Sequence, residues 1–251
     1  MHDPRRMKPP SARDIAALTF IGEGYEVAQY QLHAAIFPKV SAVVVSHFVT
    51  RAVRNGWIAV ERWNRVGINR LRLTALGREA VVRVRGDAIS LFVPRRPVAT
   101  KDVAHTLWIN DVRVALQKHA CFDVVLAAWQ LQRRMTPPPA AIPDVLAIRK
   151  PRHDVAGLIF ACEIDLGGER LTRTFLPKLE TLHSLITEWS VETKILILTQ
   201  GAQRAAVINT FAQAKSFVML ALPLPPVSGS SDRSIVGNIV TNVLALDVKA
   251  S

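Results

Sequence analysis

Apolar positions along the chain follow two periods, and the change from one to the other outlines the elements. From Ser11 the apolar residues Ile15, Leu18 and Phe20 recur at helical spacing, and Gly22 and Gly24 close the segment. A second helical stretch runs from Val27 to Phe37, stopped by Pro38, and a third from Ser41 to Asn55-Gly56. The period then becomes two. Trp57–Trp63 and Ile68–Leu73 alternate around Asn64-Arg65-Val66-Gly67, which predicts a β-hairpin, and Thr74 opens a short helix.

Beyond Val93-Pro94-Arg95-Arg96-Pro97, which reads as an extended linker, helical spacing returns over His105–Leu116. Phe122–Trp129 is strand-like, and Thr136–Pro139 is a turn or spacer. Strands are predicted over 143–149, 157–165, 194–199 and 217–222, and a helix over 203–214. The amphipathic stretch 169–190 is kinked at Pro177 or begins its main segment there. Residues 235–246 fit helix or strand equally. The order α-β-β-β-α-β-α-β is that of a mixed sheet with helices on its faces, an α/β (α+β) class.

Three helices followed by a basic hairpin is the layout of a winged helix-turn-helix, with the third helix in the major groove and the hairpin on the DNA backbone. On this reading residues 11–92 form the DNA-binding domain, 93–101 the linker, 102–225 a second domain and 226–251 a C-terminal extension. Candidate DNA contacts are Ser41, His47, Arg51 and Arg54 on the third helix, and Arg62, Arg65, Arg70 and Arg72 on the hairpin. Arginine suits phosphate because its planar fork carries parallel donors. The same layout also serves protein contacts.

Charge supports a polyanionic partner. The formal net charge is +12 and the pI about 10.5. Met1–Pro97 holds 16 Lys and Arg against 7 Asp and Glu, whereas the remainder holds 16 against 13, so the excess sits where the DNA-binding module is expected. Cys121 and Cys162 lie in apolar surroundings without C-x-x-C spacing, which reads as free thiols in a reducing compartment. No run reaches the roughly 18 apolar residues of a membrane span. The expected location is cytoplasmic and the expected partner double-stranded DNA, with a homodimer compatible with a two-fold site.

Candidate chemistry lies in the second half. Pro143-Asp144 opens one apolar run, and Glu163-Ile164-Asp165 closes another. Acids at the ends of buried strands need partners, since an unpaired charge out of water is very costly. Asp144 and Glu163 brought together would offer oxygen ligands to a hard cation such as Mg2+ or Mn2+. Glu163 and Asp165 share one face of their strand, so they repel unless a cation or a base (Arg170, Arg173 or Lys178) lies between them. His105 and Asp111 are weaker candidates, better read as a helix-edge His and a solvated acid.

A helix opening His105-Thr106-Leu107, then Pro143-Asp144, Glu163-Ile164-Asp165-Leu166-Gly167-Gly168-Glu169 and Lys178-Leu179, preceded by a winged helix, resembles the replication-relaxation family of bacterial plasmids and mobile elements. The likeness spans about Asp14 to Leu222, and the second half also resembles the PD-(D/E)xK nuclease superfamily. The resemblance implies a restriction-endonuclease-like domain coupled to a DNA-reading module. It implies catalytic roles for Asp144, Glu163 and Lys178, and metal ligation by Asp144, Glu163 and Asp165. Asp165 stands where that superfamily has lysine, so Lys178, Arg170 or Arg173 would supply the positive charge. Two functions follow: a Mg2+- or Mn2+-dependent endonuclease or nickase, or a non-catalytic regulator that keeps the nuclease-like half for dimerisation or DNA contact. A third, weaker reading makes that half a protein-interaction module.

Overall fold

A computed structural model describes residues 9–224, apart from 64–66, 87–90, 95, 100, 120, 138, 154–155, 189–191, 216 and 218. The C-terminal extension expected over 226–251, including the undecided segment 235–246, lies outside the described residues. The chain forms two compact units that divide between Asn110 and Asp111.

Unit one opens with α1 (Ala12–Glu23), whose N-terminus is closed by a reciprocal cap. Ser11 Oγ accepts the Asp14 N–H and Asp14 Oδ2 accepts the Ser11 N–H, satisfying two donors that a helix start leaves orphaned. The short strand β1 (Val27–Ala28), α2 (Gln29–Ile36) and α3 (Ala42–Arg54) follow. Next come β2 (Ile58–Trp63), β3 (Ile68–Leu73) and α4 (Ala75–Arg85). The antiparallel sheet has the order β1-β3-β2, with Val60 opposite Leu71 and Val27 opposite Leu71 on its other side. Leu18, Ile21, Leu32, Val45, Phe48, Ala52, Leu71, Leu73 and Val81 are buried to form the core.

Thr74 caps α4 through the Gly77 N–H at 3.1 Å. Gly77 permits that closure, because a Cβ there would stand 2.1 Å from the Trp57 carbonyl oxygen. The long helix α5 (Val103–Lys118) crosses the division between the units. Its first half belongs to unit one: Asn110 Nδ2 donates to the carbonyls of Gly24 and Glu26, and Val103 and Leu107 pack beside Ala28.

Unit two is built on a five-stranded mixed sheet of order β4-β5-β6-β7-β8. The strands are β4 (Val124–Ala127), β5 (Val145–Arg149), β6 (Leu158–Asp165), β7 (Glu192–Thr199) and β8 (Met219–Pro223). The β4–β5 and β5–β6 pairs are antiparallel; β6–β7 and β7–β8 are parallel, as their connections through α7 (Leu176–Thr187) and α8 (Ala202–Ala214) require. Leu146, Ile159, Ala161, Ile195 and Ile197 of the sheet bury one face against Leu179, Leu182 and Ile186 of α7 and Ala205 and Ile208 of α8. All eight residues of β6 are buried, as expected of a central strand covered on both faces.

One local reading changes, and one open alternative is decided. The strand-like pattern expected to run to Trp129 stops at Ala127, where the chain turns into α6 (Ala128–Arg134). Gln130 Oε1 accepts the Ala127 N–H at 2.9 Å, a helix-start contact that apolar patterning does not reveal. Pro177 lies in the first turn of α7, after a π-helical turn over Leu171–Phe175, so it begins the main helix instead of kinking it.

Candidate functional site

The acidic residues of unit two gather at one end of its sheet, where β5 begins and β6 and β7 end. Residues 145 and 162 pair across β5 and β6, and one step further along the register sets Asp144 opposite Glu163. Asp144 is 8 % exposed, and its Oδ2 accepts the Ile164 N–H at 2.8 Å. Glu163 is 1 % exposed, and its Oε2 accepts from Lys178 Nζ at 2.8 Å. Its other oxygen, Oε1, is buried and has no hydrogen-bond partner among the described residues. A buried polar oxygen without a partner costs free energy, so it marks a place where a cation or a hydrogen-bonding group is stabilised.

Electrostatics at this end favour positive charge. Burial, and then the neighbouring Asp144, push the Glu163 carboxyl well above its ordinary value, against the pull of Lys178. Burial lowers the Lys178 ammonium, but Glu163, Asp144 and Glu169 outweigh that and leave it raised. Both groups hold their protons tightly, Glu163 chiefly because it is buried and Lys178 because the surrounding carboxylates outweigh its burial.

Asp165 is engaged elsewhere. It is 4 % exposed and paired bidentately with Arg204 of α8, through Nε to Oδ2 and through Nη2 to Oδ1 at 3.0 Å. Thr199 Oγ1 and the Gly167 N–H complete its shell at 2.8 and 2.9 Å. The structure therefore groups Asp144, Glu163 and Lys178, and gives Asp165 its own cation. Among the described residues no group of three or more His, Cys, Asp or Glu side chains could hold a metal. Asp144 and Glu163 remain as a pair of hard oxygen donors, one with an unsatisfied oxygen. That set fits Mg2+ or Mn2+, which are held by one or two carboxylates together with waters or phosphate oxygens.

In unit one the candidate DNA contacts differ in availability. Ser41, His47, Arg51 and Arg54 on α3 and Arg62 on β2 are exposed. Arg51 is ion-paired with the capping residue Asp14. Arg72 is half-buried and donates to the Pro94 carbonyl at 3.3 Å. Arg65 lies outside the described residues. Arg70 departs from the expectation of a surface contact: its side chain is 6 % exposed and faces Glu26 at 2.7 Å and Glu61 at 3.3 Å. The buried acid Glu26 holds it inward, which removes it from the DNA-facing set.

The chain matches the replication-relaxation family model over residues 18–187. It belongs to the replication-relaxation family. No curated protein and no solved structure matches it. Family membership gives this replication-relaxation protein a DNA-associated role. Among its described residues no helix is long and apolar enough to cross a membrane.

Sequence reasoning weighed Arg170, Arg173 and Lys178 as partners for the acids and overlooked Arg204. A signal was available. Parallel β6 and β7 end side by side, with Asp165 opposite Thr199, so the first turn of the helix after β7 must lie beside Asp165. Cys162 is buried as expected, whereas Cys121 is half-buried with its Sγ 2.9 Å from His119 Nδ1.

Proposed function

We propose that this protein binds double-stranded DNA in plasmid or mobile-element replication. In this reading unit one is a winged helix-turn-helix whose α3 lies in the major groove, with its hairpin on the backbone. Unit two is a PD-(D/E)xK-like domain that acts on the phosphodiester as a metal-dependent endonuclease or nickase. The observation that carries the catalytic part is the juxtaposition of Asp144, Glu163 and Lys178 at the sheet end, with Glu163 Oε1 buried and unsatisfied.

Asp144 and Glu163 would hold the cation, which when bound polarises a phosphoryl oxygen and lowers the pKa of bound water. Lys178, one third exposed, reaches from α7 to Glu163 and is placed to donate to a phosphate oxygen as negative charge develops there. It thus takes the role of the motif lysine from a different element. In unit one, Ser41, His47, Arg51 and Arg54 supply the groove and backbone contacts of α3, with Arg62, Arg65 and Arg72 on the hairpin.

A second reading is supported by the Asp165–Arg204 pair. With the motif-lysine position filled by an acid that is itself neutralised, the unit would bind DNA without cutting, as a regulator or dimerisation module. A supercoiled-plasmid assay with Mg2+ or Mn2+ separates the two. Nicking or linearisation by wild type that is lost in Asp144→Ala and Glu163→Ala supports the nuclease. Salt-sensitive retardation without nicking by all three proteins supports the regulator. Absence of any retardation would sink both.

A further inference from the structure

Between β6 and α7 the chain makes an excursion that the proposed chemistry does not use. Gly167–Arg170 and Thr172–Thr174 are exposed, and they rise directly from the strand end that carries Glu163. Exposed connections usually have few internal restraints. This one is restrained at three points by a single side chain. Arg204 holds Asp165 at the base of the excursion through two bonds, and its Nη2 donates to the Glu169 carbonyl at 3.0 Å. Its guanidinium also lies 5.6 Å from the centre of the buried Phe175 ring, at the far end. The backbone adds its own closure. Gly167 takes a left-handed conformation (φ 77°) that lets its N–H reach Asp165 Oδ1. The Arg170 carbonyl accepts from the N–H groups of Thr174 and Phe175 and from Thr174 Oγ1, forming the π-helical turn. Such turns are rare and cluster at functional sites.

Two guanidinium groups, of Arg170 and Arg173, stand on this segment, both on exposed residues and neither in an ion pair among the described residues. Both precede the start of α7, which carries Lys178 to Glu163. A pair of exposed arginines next to a lysine aimed at a carboxylate site suits a polyanionic ligand such as a phosphate backbone better than an apolar one.

We propose that Arg204, acting through Asp165, is a positioning residue that holds residues 166–175 as a rigid ridge, and that Arg170 and Arg173 on this ridge grip the DNA phosphate backbone beside the Asp144–Glu163–Lys178 site. This rests on the DNA-binding reading above, and it places a second phosphate-binding surface in unit two. Asp165, expected from the resemblance to ligate metal, becomes the anchor of that surface.

The test is the salt dependence of duplex DNA binding by the full chain, measured by fluorescence anisotropy. Each phosphate that is no longer neutralised lowers the slope of log K against log salt by about 0.9. Arg170→Ala/Arg173→Ala is expected to lower it by roughly 1.8 at unchanged melting temperature, because both side chains lie on exposed residues. Asp165→Asn/Arg204→Met removes both charges of the pair together, so neither is left unpaired. It is expected to lower the slope by a similar amount although Arg170 and Arg173 are still present. A purely structural role for Arg204 would move the melting temperature and leave the slope alone, and that result would overturn its assignment. An unchanged slope in Arg170→Ala/Arg173→Ala, with a reduced slope in Arg54→Ala/Arg62→Ala, would overturn the ridge and leave the winged-helix reading intact. Wild type that fails to bind duplex DNA would overturn both.

Discussion

Arg70→Met should destabilise unit one far more than the removal of a surface arginine would. Arg70 sits in the central strand β3, opposite Ala28 on one side and Glu61 on the other, with its guanidinium turned onto Glu26. Glu26 is 2 % exposed, and without Arg70 its carboxylate would still accept the Val98 N–H, at 2.8 Å, but would lose its paired cation and keep only the weaker pull of Arg72. Removing one member of a buried pair typically costs about 3–5 kcal/mol, most of it the uncompensated charge left behind. The loss depends on pH. Burial raises the Glu26 carboxyl above its ordinary value of 4.5, and Arg70 works against that rise. The folded chain thus keeps a proton that the unfolded chain has released, and stability falls as pH climbs from 4.5 through the folded value. Deleting Arg70 raises the folded value further and widens this window, so the penalty is greater at pH 8 than at pH 5. Urea titrations of the full chain followed by Trp fluorescence at both pH values measure it. Glu26→Gln/Arg70→Met, which removes both charges, is expected to recover much of the loss. A single variant costing under about 1 kcal/mol, or the same at both pH values, would refute the argument that Arg70 is a structural counter-ion.

Other consequences can be checked independently. Gly77→Ala should destabilise unit one by at least about 1–3 kcal/mol in the same titration, because the new Cβ meets the Trp57 carbonyl, a backbone atom that cannot rotate away. Glu163→Gln should flatten the decline of Tm as pH rises above 4.5. Wild-type Glu163 is raised well above 4.5, so its stabilising contribution is present below that value and is lost as pH rises through the folded one, whereas glutamine does not titrate. An equally steep decline in the variant would show that Glu163 is not the group responsible.

Much of the architecture could be read before the structure, because it rests on local signals. Ser11, Pro38, Asn55-Gly56 and Thr74 punctuate helices through caps and breaks, and the Trp57–Leu73 alternation gives the hairpin its faces. The carboxylates at the strand ends were legible for the same reason: an acid closing an apolar run is a local anomaly. Charge pairing was not. Whether Arg70 faces DNA or Glu26 depends on a contact 44 residues away, and the Asp165–Arg204 pair spans 39. A hairpin arginine and a buried one look alike in sequence, since strand alternation assigns a face without saying what covers it. The start of α6 was missed because Ala127-Ala128-Trp129 suits strand and helix about equally, and the Gln130 contact decides between them.

The bond from Asp144 to the Ile164 N–H also governs how faithfully the sheet assembles. Paired residues of β5 end at Val145, and the carboxylate extends the ladder by one rung by accepting the Ile164 N–H. β6 is otherwise a run of buried apolar residues, LIFAC, with little to distinguish one alignment from the next. A slip of one residue would turn Cys162 and Ile164 towards α7 and α8 and carry Glu163 and Asp165 away from Lys178 and Arg204. Asp144 therefore works as a molecular ruler: by fixing which amide it meets, it measures out the strand and delivers each acid to its own cation.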